Sequence, residues 1–432
     1  MTQATHATGV DIPTASPSAH KRPKILFVTA NWPLAPAYGG QQRVLNIARL
    51  LSRFGDISFV IVPSEPSDDE ETVRRTKGAF DIRAVFRPLP LAFQGFWNRL
   101  GHRFRHELDP AYLATDRCVV SAPERASFLE LMQEFDLLWV HNVKTANLFR
   151  INKWPRTILD VDDLQSSVYA SAARSERNPI RRMLDLRMAL IWRRRERRMV
   201  LRFDALAVCS EQDRRSLGDD STICVIPNGF QLPAAPRRVP SQPPRIGFIG
   251  KLNWGPNADG LKWFLANVWP TIKRQRPDTH LRLVGQDGNG YFTKLGPDVV
   301  ELGWVEDPAA EIATWSSMIV PIKSGGGTRI KIAEGFARKC PIVATTIGAF
   351  GYEAQHGEEI LLADHPREFA SECVRLLRDP ELARAISEKA HQRFLQRWTW
   401  DSYENTLGFL VRGCLEKRSS STLLADSHQP LR

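Results

Sequence analysis

Short apolar runs alternate with longer amphipathic stretches along this chain, and that alternation predicts its architecture. Lys24–Thr29 (KILFVT) is the first run and suits a buried strand. A loop holding Pro33, Pro36, Gly39 and Gly40 follows. A helical pattern from Gln41 to Phe54 then puts Val44, Leu45, Ile47, Ala48 and Leu51 on one side. Ile57–Val62 is a second run; Leu137–Val140 ends at His141, Thr157–Val161 at Asp162-Asp163, and Ala205–Cys209 runs into Ser210. Cys224–Ile226 closes this half at Pro227-Asn228-Gly229. Continuous apolar runs belong to strands covered on both faces, so the expectation is a parallel sheet with helices on either side.

The stretch 231–244, QLPAAPRRVPSQPP, carries five prolines and no periodicity. Proline fixes φ and removes a donor, so this reads as an extended linker and a domain boundary. The alternation then restarts. Arg245–Ile249 ends at Gly250, Asn257–Lys273 is amphipathic, Leu281–Val284 ends at Gly285 and Val299–Leu302 at Gly303. After Asp379-Pro380 one helix runs to about Gln396, and Trp398-Thr-Trp400 introduces a last helical segment, Ser402–Cys414. The expected division is a disordered leader 1–22, a first domain 23–230, the linker 231–244, a second domain 245–397, a closing helix 398–416 and a flexible tail 417–432.

The richest chemistry lies in residues 321–346, PIKSGGGTRIKIAEGFARKCPIVATT. The run Met318–Ile322 leads into Gly325, Gly326 and Gly327; a basic turn, a helix with the lone acid Glu334 and the run Ile342–Thr345 follow. Glycines admit positive φ and let a ligand approach the backbone closely. Their N–H groups, with the start of the helix, favour an anion such as phosphate. Arg329 and Lys331 add full charge, and Glu334, about two turns past Gly326, is placed to accept hydrogen bonds from a ribose. The arrangement suits a nucleotide diphosphate. The plainer alternative is a packing turn, with Lys331 and Glu334 paired at i, i+3 on a solvated face.

Composition narrows the function classes. At 432 residues, 43% hydrophobic and 25% charged, the chain has room for two soluble globular domains. No apolar run approaches the ~18 residues needed to span a bilayer, and the first twenty-odd residues lack the apolar core of a secretory signal. Six scattered cysteines without a CxxC disfavour both zinc and a disulfide framework, which fits a reducing cytoplasm.

The net charge of +11 is concentrated in Arg174–Arg202, which holds eleven arginines against three acids. Met183, Leu184, Leu186, Met188, Leu190, Ile191 and Trp192 are interleaved with the charges. Such a segment reads as a solvated helix or as a contact with an anionic membrane surface, on the inner face of the membrane. Nucleic acid is disfavoured, because no recognised binding motif accompanies the charge.

Several pieces taken in order resemble one family. They are Gly39-Gly40, VIPNG at 225–229, IGFIGKLNWGPNADGLKWF at 246–264, LVGQ at 283–286, ELGWVED at 301–307 and the glycine-loop segment. Together they resemble the retaining glycosyltransferases of the GT-B architecture, the GT4-type family, over almost the whole of the expected ordered chain. The resemblance implies an α/β fold of two Rossmann-like domains facing each other across a cleft, with the last helix crossing back to the first domain. It further implies a nucleotide-sugar co-substrate (a UDP- or GDP-sugar) on the second domain, a glycan or lipid-linked acceptor on the first, and no other cofactor.

Residue by residue, Glu334 matches the glutamate that grips the ribose, and Gly326 and Gly327 match the loop that meets the diphosphate and donor sugar. Lys251, after Gly250, sits where a cation neutralises phosphate. Gly39 and Gly40 match the loop that closes over the phosphates, and His141 resembles the histidine that contacts the donor sugar. Two departures stand out. The glutamate many members carry eight residues before the ribose-binding one is Gly326 here, a GGGTR form that a recognisable subgroup shares. A second phosphate lysine has no clear counterpart, leaving Lys262, Arg329 and Lys331 as candidates.

Sugar transfer builds negative charge on the departing diphosphate, and pre-arranged positive potential lowers that barrier. The N–H groups from Gly325 to Thr328, with Lys251, Arg329 or Lys331, are the expected source, without a metal. His141 is expected to orient a sugar hydroxyl. In the D-x-D-D run of Asp160, Asp162 and Asp163 the resemblance implies a strand-end structural or acceptor role, with metal chelation the less favoured alternative; Asp162 is expected to be the acceptor's base or, slightly favoured, a helix cap. Ser210 with Glu211 and Asp213 reads as a capping box. Trp254 suits stacking on a base or sugar, Trp263 the core, and Trp398 and Trp400 the anchoring of the last helix. The expected activity is transfer to a cell-surface polysaccharide or glycolipid. The rivals are a sugar-nucleotide epimerase or hydrolase on the same scaffold, and a non-catalytic nucleic-acid or scaffold protein.

Overall fold

The computed structural model describes residues 22–426, apart from 34–38, 64–77, 92–95, 116–117, 177, 219, 235–237, 287–289, 293 and 295–297. The expected leader up to residue 21, Pro36 and the tail from 427 lie outside the described residues.

Before the linker run β1 (Lys24–Thr29), β2 (Asp56–Ile61), β3 (Ile82–Val85), β4 (Leu89–Pro90), β5 (Cys118–Val119), β6 (Leu137–His141), β7 (Thr157–Val161), β8 (Ala205–Val208) and β9 (Ile223–Val225). Seven of them form a parallel sheet in the order β3-β2-β1-β6-β7-β8-β9, with β4 and β5 an antiparallel pair apart. Successive side chains point to opposite faces, and both faces are covered. Leu26, Val28, Leu138, Val140 and Leu159 enter one core, while Ile25, Phe27, Leu137, Trp139 and Ile158 enter the other. That two-sided burial is why these strands read as unbroken apolar runs.

The second sheet holds β10 (Arg245–Ile249), β11 (His280–Val284), β12 (Val299–Gly303), β13 (Ser317–Val320), β14 (Ile342–Ala344) and β15 (Leu361–Leu362). Its order is β12-β11-β10-β13-β14-β15, again parallel. The chain therefore folds into two Rossmann-like α/β domains. Gly39 and Gly40 open the first helix, Gly39–Leu51, rather than lying in the loop before it. The amphipathic stretch after β10 is two helices, Gly255–Asn267 and Trp269–Gln275. Pro270, in the first turn of the second, has no N–H to carry the first one onward.

The last helix, Glu404–Asp426, runs past the expected end at 416. The crossing between domains happens over three residues. Trp398 packs with Phe336 and Tyr352 in the second domain, whereas Trp400 joins Leu407, Leu410 and Val411 in the core of the first. Among the described residues, no helix is long and apolar enough to cross a membrane.

Candidate active site

In each sheet the strand order reverses in the middle, between β1 and β6 in the first and between β10 and β13 in the second. Open α/β sheets bind ligands outside the carboxyl ends of the strands at such a reversal. Gly250 follows β10 and the glycine turn follows β13; His141 ends β6.

The glycine turn faces the first domain. Gly325 and Gly327 have positive φ, +126° and +64°. A Cβ on Gly327 would lie 1.6 Å from Asp163 Oδ1, so no side chain fits there. The Gly325 N–H donates to Ser171 Oγ (3.0 Å), and Ser175 Oγ donates to the Lys323 carbonyl (2.8 Å). The first-domain helix Gln165–Ser175 thus roofs the turn in this conformation, and an anion reaching the Gly325 N–H would displace Ser171.

Beneath the turn, Arg329 stands just before the helix Ile330–Ala337, without a side-chain capping bond, and is only 6% exposed. Its Nη1 donates to the Gly326 carbonyl and to that of Gly327 (3.1 Å), while Nε and Nη2 have no hydrogen-bond partner. Burial pushes its pKa down, against the pull of nearby Asp163. Asp163 in turn is pushed up to about 7 by burial and by Asp162. The Trp254 ring lies 5.8 Å from the Arg329 guanidinium. Thr328 is buried against Gly351.

Lys331 sits behind Gly250, where a side chain would meet its Nζ at 3.0 Å. It donates to Asn257 Oδ1 (2.9 Å) and lies 3.9 Å from the Phe248 ring. Burial, with Arg329 beside it, drives its pKa well down. The i, i+3 pairing with Glu334 does not form. Glu334 accepts instead from Arg338 Nε (3.0 Å), one turn further along, and burial raises its pKa despite that partner. Asn257 also donates to the carbonyl of exposed Lys251 (2.8 Å), tying the Lys251 loop to Lys331. Nothing in its amphipathic stretch marks Asn257 as part of the site. Lys262 lies on the exposed side of its helix over the Tyr291 ring.

The first domain contributes a buried polar network. His141 is 2% exposed, with Nδ1 3.1 Å from Asp160 Oδ2. Arg43, one turn into the helix opened by Gly39-Gly40, donates to both Asp160 oxygens, to the Ile226 carbonyl (2.9 Å) and to Asn228 Oδ1 (3.0 Å). Burial alone would raise the Asp160 pKa, yet Arg43 and His141 hold it well below the usual carboxylate range. Arg43 was not singled out by the sequence, because an arginine on an amphipathic helix reads as solvent-facing.

The helix-cap expectation for Asp162 is corrected. Its carboxylate accepts from Asn228 Nδ2 (3.3 Å) and Cys209 Sγ (3.6 Å), and Leu164 stands at the cap position without a side-chain bond. The first turn of that helix is served from afar, by Glu196 accepting the Ser166 N–H (3.0 Å). Ser210 does cap its helix, accepting from the Asp213 N–H (3.1 Å). Among the described residues, no three His, Cys, Asp or Glu are grouped so as to hold a metal ion.

The chain is similar to known proteins in ways that bear on this geometry. Residues 243–379 match the family model described as glycosyl transferases group 1. A Klebsiella pneumoniae protein, described as an uncharacterized 44.6 kDa protein in the cps region, is 26% identical over 137 residues. That match covers 29% of this chain and 35% of the relative, so the chain spans about a third of the length of the curated relative it matches. Among solved structures, sucrose-phosphate synthase from Thermosynechococcus elongatus gives a TM-score of 0.62 at 16% identity, over 90% of this chain and 98% of that one. Anabaena HepE in complex with UDP and glucose gives 0.62 at 16% identity, over 90% and 100%. At such identities the two structures speak for the fold, the GT-B pairing of Rossmann-like domains. The family match falls on the second-domain sheet and the glycine turn.

Proposed function

We propose that this chain moves a sugar from a UDP- or GDP-sugar to a glycan or lipid-linked acceptor with retention of configuration, in the assembly of a cell-surface polysaccharide or glycolipid. The observation that carries the reading is Arg329: a buried guanidinium under a glycine turn at the sheet reversal, with two donors unspent. Donors fixed in a site of low dielectric stabilise developing charge without reorganising when it appears. In this reading the N–H groups from Gly325 to Thr328 and the free nitrogens of Arg329 take the diphosphate, and Lys331 and Lys251 add potential. Glu334 holds the ribose. Gly39-Gly40 close over the phosphates from the other side, and Gly250 gives them room at the strand end.

His141, oriented by Asp160, contacts the donor sugar, and Asp162, held by Asn228, stands on the acceptor side. The UDP in the HepE complex favours a uridine donor, and the cps-region relative favours a surface polysaccharide. The helix Pro179–Glu196 leaves Ile180, Met183, Leu184, Leu186 and Leu190 exposed among its arginines, which supports a peripheral position on an anionic membrane face.

A thermal-shift panel across UDP, GDP, ADP and their common sugars tests the reading. One diphosphate should raise the melting temperature, and Glu334→Ala should weaken that ligand by about tenfold. No shift with any of them would sink the donor site. Release of free sugar, with none transferred to an acceptor fraction, would favour the hydrolase.

A further inference from the structure

A cavity of about 400 Å3 opens between the end of the helix Pro179–Glu196 and the segment Pro110–Leu113, lined wholly by first-domain residues. Arg195 lines it with its guanidinium carbon 5.5 Å from the Trp192 ring centroid and 6.0 Å from that of Tyr112. Nη2 donates to the His106 carbonyl, but Nε and Nη1 have no partner, although the residue is only 7% exposed. Asn147, on the same cavity and 3% exposed, donates to the Ala114 carbonyl (2.8 Å) and leaves Oδ1 without a partner. Unsatisfied buried groups are costly, so a charged donor and a neutral acceptor left open on one cavity ask for a ligand.

Lys153, Arg198 and Arg202 add charge around the lining. Arg202 uses two nitrogens on the Ile151 and Asn152 carbonyls. The one acid among the lining residues, Glu196, is engaged with the N–H and hydroxyl of Ser166. The net field is therefore cationic, and the volume is that of a small-molecule site.

We propose that this cavity binds a phosphorylated, hydroxyl-bearing ligand of the sugar-phosphate class, its phosphoryl oxygens on Arg195 and a hydroxyl on Asn147. Four cations suit a phosphoryl dianion better than a single carboxylate, and charge-assisted bonds to guanidinium are the strong ones. Arg195 supplies the buried contact; Lys153 and Arg198, both exposed, supply the rim. The phosphate comes either from a free sugar phosphate or from a lipid headgroup. Exposed Leu201 on the lining, and exposed Trp97, Phe104 and Leu108 on the adjoining helix Phe96–Leu108, would meet the lipid in the second case. The proposal does not rest on the donor site.

Hydrogen exchange read by mass spectrometry on the full chain separates these outcomes. The probes are glucose 1-phosphate, and phosphatidylcholine vesicles with or without phosphatidylinositol. Protection of 110–114 and 192–202 is expected with glucose 1-phosphate for a free ligand, or only with phosphatidylinositol vesicles for a headgroup. Arg195→Gln should weaken either by at least about tenfold. The double variant Lys153→Glu/Arg198→Glu, changed only at exposed positions, should do the same with an unchanged melting temperature. No protection with either probe, protection confined to 250–257 and 325–331, or protection that survives both variants would overturn the site.

Discussion

Arg43 and Arg329 are both withdrawn from water, one in each domain, and the fold treats them in opposite ways. Arg43 spends all three nitrogens, on Asp160, the Ile226 carbonyl and Asn228. Arg329 spends one, on the carbonyls of its own glycine turn, and leaves two open. A satisfied buried charge fixes the ends of several strands relative to one another. An unsatisfied one lowers stability and holds positive potential in place for a ligand. Under the proposed function, that difference is what would separate scaffold from site.

The sharpest way to break the contrast is Asp160→Ala, which strands both Arg43 and His141. Removing one member of a buried pair should cost about 3–5 kcal/mol, read from urea denaturation. A loss below about 1 kcal/mol would mean that Arg43 is no scaffold. Arg329→Met should behave differently, leaving stability unchanged or higher while nucleotide diphosphate affinity falls by about 10–100-fold. If it destabilises as Asp160→Ala does, the two arginines share one role.

A third test lies in pH. Asp163, up at about 7, keeps its proton in the folded chain where the unfolded one has lost it. Stability should therefore fall as pH rises from the ordinary aspartate range, about 4, toward 7. Asp160, held low, works in the opposite sense and loses its contribution only in stronger acid. Asp163→Asn should flatten the slope between pH 4 and 7, measured as melting temperature against pH; an unaltered slope would assign it elsewhere.

The strands were legible in the sequence because two-sided burial leaves no polar residue to interrupt a run such as ILFV or LLWV. The glycine turn was legible as a turn because consecutive glycines between two apolar runs admit the positive φ that Gly325 and Gly327 adopt. What escaped was long-range pairing. Arg43 meets Asp160 across 117 positions, Lys331 meets Asn257 across 74, and Glu196 serves Ser166 across 30. Arg43, Lys331 and Glu196 each sit in a locally ordinary helical pattern, so only the tertiary fold reveals the partner. Asp162 misled for the same reason: it has the right spacing for a cap, but Asn228, brought in from 66 positions away, claims the carboxylate.

The crossing at Trp398 and Trp400 has a consequence for how the chain is born. Trp400, Tyr403, Leu407, Leu410, Val411 and Cys414 complete one apolar layer of the lobe that is synthesised first. That lobe must wait, one side bare, while the ribosome makes the whole of the other, which closes once Trp398 has emerged. The order of translation and the order of completion are reversed, and in that interval the nascent protein depends on whatever shields its uncovered layer.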